Sequence, residues 1–590
     1  MLNINDIGAA AMIHVRDHKT PYLIDPWDYL GPKRRKLLDG SWAGLFREHI
    51  LPGLPVGKIA SCYTEGFGRP TKEIYAALGA LILQQMHDLT DEETVSQFSF
   101  NLQWHYALDI PGESDEAKYL CGKTLWTLRH IVAQKGLDRE LFTATTETLA
   151  KVFGVDTTKQ RIDSVHIRSN MRRLGRICIF SQCIHNFLVN LKRQRRALFE
   201  TIEKELIDRY LTEKALGCFS LVKPSESAKT LEEVSRDLFS LVECFRENKQ
   251  VRSMNTFGAL LRVLHDQCDV SAAGEMTVKA PKEIASASLQ NPSDPDAGYD
   301  AHKGQGYQVQ VMETYCASPD EVIKDKTLNL ITHVAVEPAH VSDVHALIPA
   351  LESTKERGLA PQEVLADSLY GSDENRQKAS ELGVEVISPV MGAPKEETLS
   401  LADFPQTDKG TITACPQGQT PVKIKRGKKN AMSVAFASEH CDVCPLRDRC
   451  PVKPGRQRHY LRFTLKALRT AERRAREHTP EFKDKYRWRS GIESTFSEMD
   501  KTTGVKRLRV RGLSAVGYCA RLKAIGVNLF RAARVKKALD ALRPGPGTAL
   551  STIDSVILAV KECFLSPWRR LSGIFKAATE NMPYTLRIAP

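Results

Sequence analysis

Apolar residues recur at three- and four-residue spacing through most of the first 150 positions, which is the periodicity of amphipathic helices. In PTKEIYAALGALILQQMHDLTDEETVSQFSFNLQWHYALDI this spacing predicts successive helices with Pro70 ahead of the first, and TLWTLRHIVAQKGLDRELFTATTETLAKVFG repeats it. A compact all-α unit over about 20–155 follows. Its basic side chains are spread too evenly to single out one recognition helix, so a core-forming bundle and a DNA-reading module both stay open.

At RIDSVHIR (161–168) the pattern shortens to a β-branched run, which predicts a strand and a new domain. The stretch 176–290 returns to helical spacing with Lys and Arg alternating with Glu, and is read as a helical insertion. GYQVQVMETYC (306–316) and LITHVAVEPAH (330–340) then predict two strands of a hairpin. EVLAD (363–367), LYGSDENRQKASELG and VEVISPV predict a strand, helix, strand unit, with Ser372 as N-cap and Gly383 as C-terminal stop. The resulting expectation is an α/β core over 156–392 and 464–536, interrupted by the helical insertion and by a polar, Cys-rich segment at 393–463. A helical tail over 537–590 follows the breaker RPGPG.

The chain of 590 residues exceeds what one core normally organises, in keeping with several units. Its formal charge of +13 favours a polyanionic partner, nucleic acid or an anionic membrane surface. No apolar run reaches the roughly 20 residues of a membrane helix, and the start MLNINDIGAAAMIHVRDHKTP lacks a secretory pattern, so a cytoplasmic protein is expected. GLPVGK (53–58) is one residue short of a P-loop, and neither H-E-x-x-H nor G-x-S-x-G occurs, which leaves ATP hydrolysis and zinc proteolysis unsupported.

Three acids stand where α/β sheets place chemistry. Asp163 lies inside a strand, Asp367 closes one at its carboxyl end, and Glu493 sits on a helix beside the inward pair Ile492 and Phe496. Taken singly, such an acid is more often a turn former or cap. Taken together, carboxylates from separate elements are what two-metal phosphoryl transfer requires, because the two cations share oxygen ligands.

The motifs around these acids resemble those of bacterial insertion-sequence transposases of the DDE class. DSVHIRSNMRRLGR (163–176) is similar to the first motif, VLADSLYGSDENRQ to the second, and KYRWRSGIESTFSEMDKTTGVKRLRVRGL to the third, in which Tyr, Arg and Glu recur at fixed spacing on a helix. The order is the family's, and the resemblance spans about 40–535. It implies a ribonuclease H-like mixed-sheet core, a pair of Mg²⁺ or Mn²⁺ ions on Asp163, Asp367 and Glu493, and cleavage and strand transfer of double-stranded DNA in a bacterial, nucleoid-associated setting. It also implies supporting roles at the DNA end for Tyr486 and Arg489. The lysine expected seven residues after the glutamate is Asp500 here, with Lys501 beside it as the substitute contact. His166 and Asn170 are further candidates beside the first motif, equally suited to structural roles. Because two transposon ends must be held together, a homodimer on DNA is expected. A related nuclease that does not join, and a catalytically silent zinc-containing DNA-binding protein, are the alternative functions.

Cys441-x2-Cys444-x5-Cys450, with Cys415 upstream, offers four thiolates to a tetrahedral structural Zn²⁺; His440 and His459 are alternative ligands, and free thiols the remaining option. With little apolar material apparent nearby, such a metal is expected to contribute folding energy directly. From RDRCPVKPGRQRHYLRF to KRLRVRGLSAVGYCARLK, Lys and Arg far outnumber acids and flank Glu493, which marks Lys506, Arg507, Arg509 and Arg511 as candidate phosphate contacts.

Overall fold

The computed structural model describes residues 13–64, 70–212, 222–392, 398–407 and 409–542. The expected tail, from residue 543 on, lies outside the described residues. The chain divides into a unit ending at Arg534 and a short one from Val535, of which only the end of the last helix is described.

Five strands form the framework: β1 (Lys159–Arg168), β2 (Gly304–Thr314), β3 (Ile331–Pro338), β4 (Glu363–Ala366) and β5 (Glu385–Ile387). Their order is β3-β2-β1-β4-β5; β2 is antiparallel to both β1 and β3, whereas β4 runs parallel to β1 and β5 parallel to β4. A sixth short strand, Gly298–Asp300, pairs with the start of β2. The hairpin expected of β2 and β3 is present, with a helix at Glu321–Lys326 in its connection. Between β4 and β5, Ser372 accepts the Asn375 N–H at 3.2 Å as N-cap, and Gly383 takes the left-handed conformation at φ +83°.

One face of this mixed sheet is apolar. Helices α1 (Leu347–Glu356) and α2 (Asp373–Glu381) cover it, burying Ile162, Met312, Leu347, Leu351, Val364 and Tyr370. The other face carries a buried ion cluster. Glu313 of β2 has a fully buried side chain paired with Arg161 of β1 at 2.6 Å and Arg531 at 2.8 Å, and it accepts from the Thr495 hydroxyl at 2.8 Å. Thr495 belongs to α3 (Gly491–Thr503) and Arg531 to α4 (Leu513–Asp540), so the cluster joins both helices to the sheet. Gly491 leaves room for this approach: a Cβ there would lie 2.1 Å from the Arg161 guanidinium, which would have to shift.

The amino-terminal residues are helical as expected. Every residue of Ile74–Met86 is buried, and Thr90 and Glu93 form a capping box for the next helix. Asp88 ties this region to the carboxyl-terminal helices, pairing with Arg509 at 3.2 Å and with Lys523 of α4 at 2.8 Å. Residues 176–290 gather three long helices, Arg176–Gln194, Ser227–Phe245 and Asn255–Gln267, around their own apolar cluster that includes Phe180, Phe187, Leu238 and Phe257.

The Cys-rich segment departs from the expectation of a loop without a core. Strands β6 (Lys423–Arg426), β7 (Ala431–Ala437) and β8 (Arg458–Thr464) form an antiparallel sheet over Phe404, Ile412, Met432, Val434, Phe436, Leu461 and Phe463. The alternating apolar positions of AMSVAFA and HYLRF are short and lie between Lys-, Gly- and Pro-rich stretches, which hid them at the level of composition. Among the described residues no helix is long and apolar enough to cross a membrane.

Removing one member of a buried charge cluster leaves the others unpaired in a low-dielectric interior, so Glu313→Ala should lower the free energy of unfolding by about 3–5 kcal/mol. Urea titration followed by circular dichroism measures it, and a loss below about 1 kcal/mol would remove the cluster as the tie between sheet and helices.

Candidate active site

Asp163 and Asp367 come together through strand register. Ile162 of β1 faces Ala366 of β4 across a parallel ladder, so the next residue on each strand is an aspartate. β4 ends at Ala366 while β1 runs on to Arg168, so both aspartates stand at the level where β4 stops. The Tyr370-Gly371-Ser372 turn that follows is tightly held. A Cβ on Gly371 would lie 1.7 Å from the Ser388 hydroxyl, and the buried Tyr370 hydroxyl donates to Gln310 at 2.6 Å. Gln310 in turn donates to Asp343 at 2.7 Å. Neither Gln310 nor Asp343 was singled out from sequence, since a glutamine inside an apolar strand and an aspartate in a short turn carry no local pattern.

The third carboxylate arrives from α3, which packs on the sheet face that carries Arg161 and Asp163. Ile492 and Phe496 of α3 are buried as the spacing predicted, and Glu493 beside them keeps its side chain 68% exposed. It occupies the first turn of α3, where the helix dipole favours negative charge. Tyr486, Arg489 and Glu493 do not share one helix, as the third motif suggested. Tyr486 ends the helix Pro480–Tyr486, Arg489 lies in a 3₁₀ turn at Arg487–Ser490, and Glu493 alone lies on α3. The 3₁₀ turn is fixed by Arg161, which donates to the Trp488 carbonyl at 2.7 Å.

This turn aims Arg489 between the carboxylates. Its guanidinium pairs with Asp163 at 2.5 Å and with Glu493 at 3.2 Å, while its Nε–H is buried without a hydrogen-bond partner. Tyr486 stacks on Phe482 with ring centroids 5.4 Å apart and packs against Tyr315, Leu365 and Ile387. Burial raises its hydroxyl pKa, with Arg489 opposing and Asp367 and Asp163 adding to the rise.

Asp163 is the perturbed member of the group. Burial pushes its carboxyl up to about 6; Asp367 and Asp343 add to the rise, and the Arg489 charge and the Ser164 N–H only partly offset it. Among the described residues no group of three or more His, Cys, Asp or Glu side chains stands as a formed metal cage. Against the burial that lowers it, Asp163, Asp367 and Glu493 each lie close enough to Arg489 to raise its pKa.

The remaining sequence candidates divide. Arg509 is engaged by Asp88, and Arg511 donates to the Asn170 side chain at 2.6 Å. Lys501 and Arg507 are exposed, Lys506 is partly so, and among the described residues none of the three makes an ion pair within 4.0 Å. His166 on β1 is half-buried with neither ring nitrogen hydrogen-bonded. Part of the basic run upstream turns inward: Arg469 pairs with Asp373 at 2.7 Å, and Arg473 and Arg474 donate to backbone carbonyls near β5.

Cys415, Cys441, Cys444 and Cys450 line one pocket beside the β6–β8 sheet, together with His440. Burial raises the Cys441 thiol pKa, and Cys450, Cys415 and Cys444 each add to the rise, as neighbouring thiols do. His459 points elsewhere, pairing with Asp442 at 3.0 Å.

Residues 414–533 match the family model of the Transposase DDE domain, and residues 48–130 match that of a Transposase domain (DUF772). The first match contains the four Cys positions from 415 to 450 and Glu493, but neither Asp163 nor Asp367. No curated protein matches the chain. The two matches indicate a transposase and support the DDE, insertion-sequence type.

A carboxyl whose folded pKa is raised contributes stability below its unfolded pKa and loses it as pH rises through the folded one. For Asp163 the window runs from 3.8 to about 6. In metal-free buffer the wild type should therefore lose roughly 2–3 kcal/mol more stability than Asp163→Asn between pH 3.8 and 7. Parallel pH dependences of the two urea midpoints would contradict this.

Proposed function

We propose that this transposase cuts and joins double-stranded DNA at a divalent-cation site formed by Asp163, Asp367 and Glu493 on a ribonuclease H-like core. The observation that carries the proposal is the convergence of Asp163 and Asp367 at one sheet edge with Glu493 bridged to Asp163 through Arg489. The strand order β3-β2-β1-β4-β5, with its antiparallel and parallel halves meeting at β1, fits the core that the motif resemblance implies.

The donor set suits a hard cation. All three residues supply carboxylate oxygens, and burial of Asp163, with a smaller contribution from Asp367 and Asp343, raises its carboxyl pKa by more than one guanidinium offsets. When bound, a pair of Mg²⁺ or Mn²⁺ ions supplies Lewis-acid activation of the attacking hydroxyl and of the leaving oxygen. The protein's own groups position the DNA. Arg489 offers a planar fork matched to a phosphate, Tyr486 presents its hydroxyl beside it, and Lys501, Lys506 and Arg507 add positive charge along the backbone. Arg509 and Arg511 contribute once released from Asp88 and Asn170.

The helical amino-terminal residues 20–155 then serve DNA-end binding, and residues 176–290 and 393–463 are insertions in the catalytic core of 156–392 and 464–536. The four cysteines hold a structural Zn²⁺ once their thiols deprotonate and close on it. The complex is a homodimer on DNA, acting in the bacterial cytoplasm at the nucleoid. A catalytically silent DNA-binding protein fits less well, because a crowded carboxylate cluster opposes binding of a polyanion and is useful only where cations neutralise it.

With Mg²⁺ or Mn²⁺, cleavage of a labelled duplex carrying the flanking ends of this gene should fall at least about a hundredfold in Asp163→Ala, Asp367→Ala and Glu493→Ala. Wild-type binding without cutting would favour the silent DNA-binding protein. Cutting without joined product would favour a nuclease. Separately, elemental analysis should find about one zinc per chain. Cys441→Ser with Cys444→Ser should remove it and lower the melting temperature.

A further inference from the structure

Arg489 does two things at once: it neutralises Asp163 at 2.5 Å and Glu493 at 3.2 Å, and it leaves a buried Nε–H unused. A guanidinium is always charged and offers five donors in a fixed fork, so a carboxylate edge on one side satisfies it incompletely. The same atoms are the ones a divalent cation would take. A cation and Arg489 therefore compete for the Asp163 carboxylate, and a phosphate and Asp163 compete for Arg489.

We propose that Arg489 is a built-in counter-cation that closes the carboxylate cluster in the absence of DNA and is drawn off by a backbone phosphate of the bound DNA end, so that DNA binding opens the cation site. The 3₁₀ turn that carries Arg489 is anchored at Trp488 by Arg161, which keeps the swing local to the side chain. Glu493 is mostly exposed and one helical turn away, free to follow a cation once its arginine partner leaves. The coupling is reciprocal by linkage: whatever factor DNA adds to cation affinity, the cation adds to DNA affinity. The device also restrains the protein from loading cations, and hence from hydrolysis, away from its proper substrate.

The proposal rests on Asp163, Asp367 and Glu493 being cation ligands, and the experiment separates the two claims. Mn²⁺ binding to the full-length protein is titrated without DNA, free Mn²⁺ being read by electron paramagnetic resonance, for the wild type, Arg489→Gln, Arg489→Met and Asp367→Ala. Both arginine variants should bind Mn²⁺ about tenfold more tightly than the wild type, a factor within the usual range of coupling between sites. Binding of the flanking-end duplex should tighten with Mn²⁺ by a similar factor in the wild type, and by much less in the two variants. Two variants of different polarity guard against a local folding defect in either. Mn²⁺ affinity in both arginine variants equal to or below that of the wild type overturns the counter-cation role. If Asp367→Ala binds Mn²⁺ as the wild type does, the assignment of the ligands themselves fails, and the proposal with it.

Discussion

Glu313 is a carboxylate with no access to water, and an ionised group in that position is tolerable only if opposite charges meet it at close range. Arg161 and Arg531 do so and the Thr495 hydroxyl donates to it, from three different elements, which makes the pairing a condition on how those elements assemble. A slip of α4 along the sheet would strand the Arg531 charge, and a slip of α3 would cost Glu313 its hydroxyl donor. Arg161 extends the constraint to the active edge. It precedes Asp163 by two positions on the same face of β1, and it also holds the carbonyl of Trp488, the residue before Arg489. One ion cluster therefore sets where Asp163, Arg489 and Glu493 stand relative to each other.

The two carboxylates on this face illustrate opposite electrostatic solutions. Burial opposes ionisation of both. At Glu313 the two arginines more than offset it, and the carboxyl is held below its ordinary range. At Asp163 a single arginine shared with Glu493 does not offset burial and the neighbouring Asp367 and Asp343, and the carboxyl is pushed up to about 6. The first arrangement is a finished structural unit. The second is short of positive charge, which is the condition of a site that completes itself by binding a cation.

Much of this was legible in the chain, for physical reasons that differ by element. Strands β1 to β5 announced themselves through short β-branched or apolar runs, and Ser372 and Gly383 through the fixed chemistry of helix ends. Strand order was not legible, because pairing is set by long-range contacts such as Ile162 with Ala366, two hundred positions apart. Charge was harder to read. Arg469, Arg473 and Arg474 look from sequence like a DNA-facing run, yet they clamp the α2 and β5 region from outside. The buried Glu313 and Arg161 look like the polar half of alternating strands. A sequence gives the sign of a charge but not the side of the sheet on which its partner waits.

The displaced lysine of the third motif has a local structural explanation. Asp500 accepts the Lys506 backbone N–H at 3.2 Å, and its carbonyl accepts from Gly504, whose left-handed φ of +63° ends α3. An aspartate there closes the turn, as a short acceptor side chain can and a lysine cannot. The positive charge moves one residue on. At 100° per residue, position 500 lies about 20° around the helix from Glu493, whereas Lys501 lies about 80° away. Arg489 precedes Glu493 by four positions and reaches it directly. The cation nearest the third carboxylate thus comes from before the helix rather than from two turns along it, and this is why the behaviour of Arg489 governs the state of the whole edge.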